Sequence, residues 1–384
     1  MLNISVIDSE QGLESIEDEW SLLLQQSSSD TIFLTWEWIK AWWGSYGAGR
    51  RLWILKVERD GNLVGLAPFY QEEFRRFGIF EYRGVYLIGD GSSDSDYLDL
   101  ISKRDEEEFV ARSIVKHLLK HQDQWDVLFL NEIPESSPHF QWLRKCAGER
   151  RWYWEEAEAP CTYVALPSDW NEYLRSLKPR VRTKIRSLSS RLEQNFKVEF
   201  NCCERSHELE SRLESLFCLH NLRWQEDGRE GVFMSPAKRR FYAEMSTRFL
   251  ERGWLRLYSL SLNGSYVAHQ FCFEYRNRIF LLQEGFDPTL AEHGVGNVLR
   301  AYVFRDCIDR KIAVYDFLGG VTPHKVSWGG TVKNSIRGKA GRPIAKNRLL
   351  FELPKTLEMG KKGLKNILPE TVVAWGRNLG RAGS

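Results

Sequence analysis

The chain has 384 residues, 28% of them charged and 42% hydrophobic, and a net charge of +2. That length exceeds one ordinary core and predicts two domains, and the near-neutral charge excludes a whole-chain bias toward nucleic acid. No run approaches the ~20 apolar residues of a membrane span. The start carries Asp8, Glu10, Glu14, Glu17, Asp18 and Glu19, the reverse of a signal peptide, so a cytoplasmic protein is expected. The seven cysteines have neither C-x-x-C spacing nor a completing His pair. They read as free thiols, and no metal site is expected.

In chain order, residues 13–26 and 33–43 read as amphipathic helices, the second bearing Trp36, Trp38, Trp42 and Trp43. That cluster reads as core or as a sugar-stacking platform. Residues 51–69 form a hairpin turning at Asp60-Gly61. Residues 85–88 and 97–101 are short strands around a Gly/Ser/Asp loop whose acids and hydroxyls suit a glycan or a polar turn. A helix (105–121) and a buried strand (126–131) close the first unit. Polar residues 148–160 mark the boundary.

Past it, residues 162–166 are a strand, and Asp169 caps a helix that Pro179 ends. Pro179 then opens another helix, striped by Val181, Ile185, Leu188 and Leu192. A strand (198–201), a helix (206–224), a hairpin turning at Asn263-Gly264 (254–273), a strand (278–285), a helix (296–310) and a strand (314–318) follow. The halves read as degenerate copies: Asp60-Gly61-Asn62-Leu63-Val64-Gly65 answers to Asn263-Gly264-Ser265-Tyr266-Val267-Ala268.

The chemistry is expected between Gln283 and Trp328. A strand ends at Gln283-Glu284-Gly285-Phe286, and the turn His293-Gly294-Val295-Gly296-Asn297 opens a helix. Free N–H groups at a helix start, approached through glycine, suit a pyrophosphate. The next strand ends at Asp316-Phe317-Leu318-Gly319-Gly320, with His324, Lys325 and Trp328 beyond it. Strand ends beside a helix start and ionisable groups build a ligand crevice.

These residues resemble the CelD/BcsL acetyltransferase group of the Gcn5-related N-acetyltransferase (GNAT) superfamily. The motifs are Asp169-Trp170 through Arg180-x-Arg182-x-x-x-Arg186, Ala268-His269-Gln270-Phe271, and Asp316-Phe317-Leu318-x-Gly320 followed by His324-Lys325-x-x-Trp328. In the first half they are Trp36-x-Trp38, Gly65-Leu66-Ala67-Pro68-Phe69 and Ser95-Asp96-Tyr97-x-Asp99. The group tends to have Tyr where His324 stands, and the superfamily's phosphate loop is usually longer than 293–297.

The resemblance implies a mixed α/β fold of two tandem GNAT-like lobes, each a mostly antiparallel sheet flanked by helices. Residues 1–155 would be a degenerate lobe shaping the acceptor site, 160–345 the acyltransferase lobe, and 346–384 a basic tail. It implies acetyl-CoA or another acyl-CoA as donor and an amine or hydroxyl acceptor on an exopolysaccharide or cell-envelope precursor. Glu284 and Asp316 are the candidate bases, Lys325 a charge stabiliser, His324 a proton shuttle, and backbone N–H groups around Gln283, Gly285 and Phe286 the oxyanion donors. The turn at His293, Gly294, Gly296 and Asn297 would face the donor. Gln270, Trp328, Asp96 and Tyr97 would face the acceptor. Arg180, Arg182 and Arg186, with Lys184, read as a solvated face or as contacts to an anionic acceptor or CoA phosphates. No nucleic-acid partner is expected. The tail, with eight basic and three acidic residues from Lys346 on, reads as a packed helix or as a peripheral contact to the inner membrane face. The competing readings are a FemAB-like aminoacyl transferase using charged tRNA and a binding module without catalysis.

Overall fold

The structure, a computed structural model, describes residues 2–76, 78, 80–226 and 228–352. The first half contributes strands β1 (Leu2–Ile7), β2 (Arg51–Leu52), β3 (Ile54–Arg59), β4 (Asn62–Ala67), β5 (Phe69–Arg76), β6 (Phe80–Leu87), β7 (Ile101–Ser102) and β8 (Val127–Pro134). The remainder contributes β9 (Tyr153–Ala165), β10 (Val198–Cys202), β11 (Leu255–Leu262), β12 (Ser265–Tyr275), β13 (Arg278–Phe286), β14 (Val314–Gly319) and β15 (Thr331–Gly341). A small sheet runs β1-β3-β4-β7. The other 11 strands form one sheet in the order β10-β11-β12-β13-β14-β9-β15-β8-β6-β5-β2.

The hairpins turn where Asp-Gly and Asn-Gly stand. Asp60 and Gly61 have φ of 51° and 77°, and Asn263 and Gly264 have 51° and 87°. Positive φ at both central residues is the turn whose twist matches the flanking strands. Each hairpin leads to a further strand, a crossover helix and a parallel strand. In the first half these are β6, the helix Glu107–Lys120 and β8; in the second they are β13, the helix Val295–Asp309 and β14. The duplication read from the sequence is thus a repeat of topology. Pro68, between β4 and β5, splits in the first half what is one long strand, β12, in the second.

Both parallel pairs are short. β6 meets β8 only at Gly84/Val127 and Val85/Leu128, and β13 meets β14 only from Arg278/Val314 to Phe280/Asp316. Past those points the partners diverge, leaving a wedge open at the C-terminal ends of the strands. The long strands β9 and β15 lie between the two wedges, paired over 11 residues from Thr331/Tyr163 to Gly341/Tyr153.

The stretch 148–160, expected as a boundary, is a helix end, a turn and the first half of β9. Its acids are answered by cations around it: Glu155 by Lys339 at 2.6 Å and Glu156 by Arg144 at 3.4 Å. The strand expected at 97–101 shrinks to β7. The helices Pro138–Glu149 and Pro236–Glu251 and strand β15 were not among the expected elements. Of the tail, Leu350 and Phe351 pack with Tyr82 and Val127, and Lys346 donates to Asp126 at 3.0 Å. Its start is therefore part of the core, and residues 353–384 lie outside the described residues. Among the described residues no helix is long and apolar enough to cross a membrane.

A buried latch joins the halves. Lys238 Nζ, on the helix Pro236–Glu251, donates to Asp94 Oδ1 at 2.8 Å and to the Ser92 carbonyl at 3.0 Å. Tyr46 and Tyr242 hydroxyls also reach Asp94, at 3.1 and 3.2 Å. Trp38 and Trp42 donate to Ser95 and Ser92, both at 3.0 Å, and all four tryptophans of the cluster are buried. They are core, and they shape the loop that follows β6. Removing one partner of a buried pair leaves the other charge desolvated and uncompensated. Asp94→Ala is therefore expected to lose about 3–5 kcal/mol of unfolding free energy in urea titrations, against less than about 0.5 kcal/mol for the surface change Glu10→Ala.

Candidate active site

Both wedges open into one cavity of about 1110 Å³. Pockets for one small ligand usually measure roughly 300–1,000 Å³, so this one has room for two reactants. The first half lines it with Asp90, Asp96, Asn131 and Glu132, β9 with Glu158, and the second half with Arg223, Gln283, Glu284, Arg300, His324 and Lys325. One wall is acidic and the other basic.

Asp96 sits on the acidic wall, half-buried, with Gly319 N 3.4 Å from Oδ2 and Cys161 Sγ 3.7 Å from Oδ1. Burial, with the neighbouring charges of Glu132 and Asp316, pushes its carboxyl up to about 7. Burial and Glu132 also raise Asp90, against a hydrogen bond from Asn131 at 2.8 Å. Glu132, held at φ 57°, pairs with Arg337 at 2.6 Å. Asp96 was expected to contact the acceptor, and it lines the cavity with a carboxyl that holds its proton unusually well.

On the basic wall Glu284 is ion-paired to Arg300 and accepts from Gln270 Nε2 at 3.2 Å. Burial opposes its charge, but Arg300, with His324 and Arg223, outweighs burial and holds the carboxyl below its usual range. It is ionised but a poor proton acceptor. Arg300 Nη1 lies 2.9 Å from His324 Nδ1, and His324 Nε2 lies 3.3 Å from Asn297 Oδ1. Burial and the Arg300 charge push the imidazole down to about 4. It is neutral near pH 7, an acceptor for Arg300 rather than the expected proton shuttle. Gln270 is buried and accepts from the Tyr315 hydroxyl at 3.0 Å. It holds Glu284 from below instead of meeting a substrate.

Asp316 is on neither wall. Its side chain has no exposure and accepts from Tyr97 Oη at 3.0 Å, Lys333 Nζ at 2.8 Å and Leu318 N at 2.9 Å. With every partner internal, it is a structural node and not the expected base. Tyr97 binds that node and faces a second cavity, not this one. Lys325 lines the cavity, but its ammonium donates to the carbonyls of Phe317 and Gly319 at 2.9 and 2.6 Å, and burial lowers its pKa. It clamps the end of β14, where Leu318 takes φ 59°. Trp328 is buried against Phe304, its carbonyl taken by Tyr173 Oη at 2.8 Å, so it too is core.

Of the expected donor residues only Gln283 lines the cavity; Gly285, Phe286, His293, Gly294, Gly296 and Asn297 do not. Packing explains the two key glycines. A Cβ on Gly285 would come within 2.6 Å of His220 N, and Gly294 has φ 64° with Leu188 against it. The register of β12 on β13 slips at Phe271/Cys272, so Leu282 is the extra residue of a bulge. Arg180, Arg182 and Arg186 stand outside the cavity, on the helix Pro179–Asn195.

Sequence reasoning missed Arg300, Arg223, Glu132 and Glu158. Arg300 left a trace: an arginine between Leu299 and Ala301 in an otherwise apolar helix stripe. It is buried, its guanidinium 5.2 Å from the Phe317 ring. Arg223 lies 4.9 Å from the Trp224 ring and, among the described residues, has no carboxylate within ion-pairing distance.

Asp96 gives the site a signature in stability. Its folded pKa lies above the ordinary aspartate value, so the folded state holds this proton more tightly than the unfolded chain does. Its contribution is then fully present below about pH 4 and lost as pH rises to about 7. The stability of Asp96→Asn minus that of wild type should grow across that window and level off above it. Urea midpoints at stepped pH measure this, and a gap independent of pH would contradict the assignment.

Comparison with known proteins agrees with this architecture. Residues 179–326 match the acetyltransferase (GNAT) domain family. No curated protein matches the sequence. Among solved structures, FemX superposes with a TM-score of 0.58 at 10% identity, covering 84% of this chain and 95% of its own. A conserved protein of unknown function from Bacteroides thetaiotaomicron VPI-5482 gives 0.55 at 15% identity, covering 88% and 100%. L-PGS from Bacillus licheniformis gives 0.52 at 11% identity, covering 91% and 96%. At such identities the likeness is one of fold.

Proposed function

We propose that the protein is an acyltransferase that moves an acyl group from acyl-CoA to an amine or hydroxyl, with the acceptor on the acidic wall and the donor on the basic one. The observation that carries this is Asp96, a carboxyl with pKa about 7, lining the same cavity as the bulged end of β13. As the acceptor's nitrogen or oxygen bonds to the acyl carbon, Asp96 takes its proton. Backbone N–H groups of the bulge at 281–283 meet the oxyanion. The C–S bond then breaks. One proton has moved from acceptor to sulfur overall, and a group titrating near neutrality can both accept it and give it back. Arg223 supplies positive charge on the donor side, beside the internally paired Arg300–Glu284–His324 network. An exopolysaccharide or cell-envelope precursor as acceptor rests on the CelD/BcsL motifs alone.

A second donor is an aminoacyl ester on tRNA, which the fold shared with FemX supports. Calorimetric titration with acetyl-CoA, longer acyl-CoAs and aminoacyl-tRNA separates the two. Saturable heat with a CoA supports the first reading; heat with aminoacyl-tRNA alone replaces it with the second. With a donor in hand, Asp96→Asn is expected to lower kcat about 10²–10⁴-fold without changing donor Kd. Wild-type kcat/KM should rise with pH and level off above about 7. Full turnover in Asp96→Asn would remove Asp96 from the mechanism.

A further inference from the structure

Between Glu172 and Glu193 the chain has no acidic residue, yet Arg175, Lys178, Arg180, Arg182, Lys184 and Arg186 stand within 12 positions of one another. Five of these six are exposed and Arg182 is half-buried. Among the described residues none has a carboxylate within ion-pairing distance. Some cations elsewhere find partners, as Arg239 does with Glu214 at 3.1 Å and Arg112 with Glu149 at 3.2 Å, and others, such as Arg51 and Lys311, stand singly; what sets this run apart is six such charges within 12 positions. The run is held in place because Ile185, Leu188 and Leu192 of its helix are buried. Its charges therefore form a fixed outward-facing patch that no carboxylate among the described residues neutralises.

Beside the patch is a small apolar tip. Val321, Pro323 and Val326 are exposed, the valines at 43% and 47%, on the short helix Pro323–Ser327 and its lead-in. Thr322 caps that helix and the Lys325 clamp ties it to the end of β14. The two features adjoin. The Leu177 side chain reaches within 3.4 Å of the Cβ position at Gly329, and the Lys184 charge bears on the His324 imidazole.

Unpaired cations around a rigid apolar tip match the surface of an anionic bilayer, where phosphates take the charges and the tip enters the headgroup layer. An RNA strand would meet the charges but not the tip, and no aromatic side chain interleaves with these cations to stack a base. We propose that residues 175–186 and 321–326 together form a docking surface for an anionic lipid membrane. Thr322, His324 and Lys325 of the tip also line the cavity, so docking opens the cavity toward the bilayer and suits a substrate carried on a lipid. The surface stands independently of the transfer chemistry.

Co-sedimentation of the full chain with vesicles tests it. Binding is expected to phosphatidylcholine vesicles containing phosphatidylglycerol and not to phosphatidylcholine alone, and to weaken with salt. Arg180→Glu with Lys184→Glu should weaken it at least tenfold. Val321→Asp with Val326→Asp should also weaken it while leaving the melting curve unchanged, since both side chains are exposed. Absence of vesicle binding overturns the proposal. So does binding that both double variants retain, which would assign it to another part of the chain. Tight binding to single-stranded RNA without vesicle binding would give the patch to nucleic acid instead.

Discussion

A carboxyl group with no solvent exposure needs the protein to replace its water, and Asp316 shows how much of this molecule is arranged to do so. Its three partners come from the loop after β6 (Tyr97), from β15 (Lys333) and from its own strand β14 two residues on (Leu318 N). Losing any one of them would leave a buried charge short of a partner. The node therefore fixes the loop of the first half against strands β14 and β15. Tyr97 takes φ 52° to make its bond, and the preceding residue is Asp96. The group that stands at the cavity wall is held there by the group buried behind it. Asp316 then acts on Asp96 a second way, since its charge helps keep the neighbouring proton on.

The opposite charges of the two walls follow from the topology. Each half ends its parallel pair early, and both wedges open beside β9 and β15, so one cavity receives a strand end from each copy. The first copy delivers Asn131 and Glu132 where the second delivers Phe317 and Leu318. Glu132 and Leu318 share a left-handed backbone, at φ 57° and 59°. The repeat kept its geometry while its side chains diverged in charge. Across a partly desolvated space such a field holds two reactants of different charge apart until they meet. A chain with 54 basic and 52 acidic residues shows nothing of this in its total.

What could be read beforehand was local. The hairpins at Asp60-Gly61 and Asn263-Gly264, the cap at Asp169, the helix opened by Pro179 and the strand–helix–strand repeats all rest on neighbours within a few residues. The roles within the site were not legible, because each depends on distant partners. Asp316 and Tyr97 are 219 positions apart, so a conspicuous acid at a strand end looked like a base. Asp96 owes its proton affinity to depth and to Glu132 and Asp316, none of which its own loop reveals. Strand β9 looked like a linker because its acids are answered only by cations brought in by other elements. His324 lines the cavity, and its neutral state comes from burial and from the charge of Arg300, 24 positions away.

The glycine-rich turn carries a different lesson. Glycine before a helix is what a phosphate needs, but it is also what close packing needs, and here Gly285 gives way to the backbone at His220 while Gly294 meets Leu188 in a left-handed turn. Packing accounts for both, and the turn lies off the cavity. The positive charge on the donor wall comes from guanidinium groups. Arg300 is already paired with Glu284, whereas Arg223, set against Trp224, has no carboxylate within ion-pairing distance among the described residues. A guanidinium grips a phosphate or a carboxylate equally well and does not require a pyrophosphate. The charge of the basic wall therefore does not by itself distinguish one phosphate- or carboxylate-bearing ligand from another.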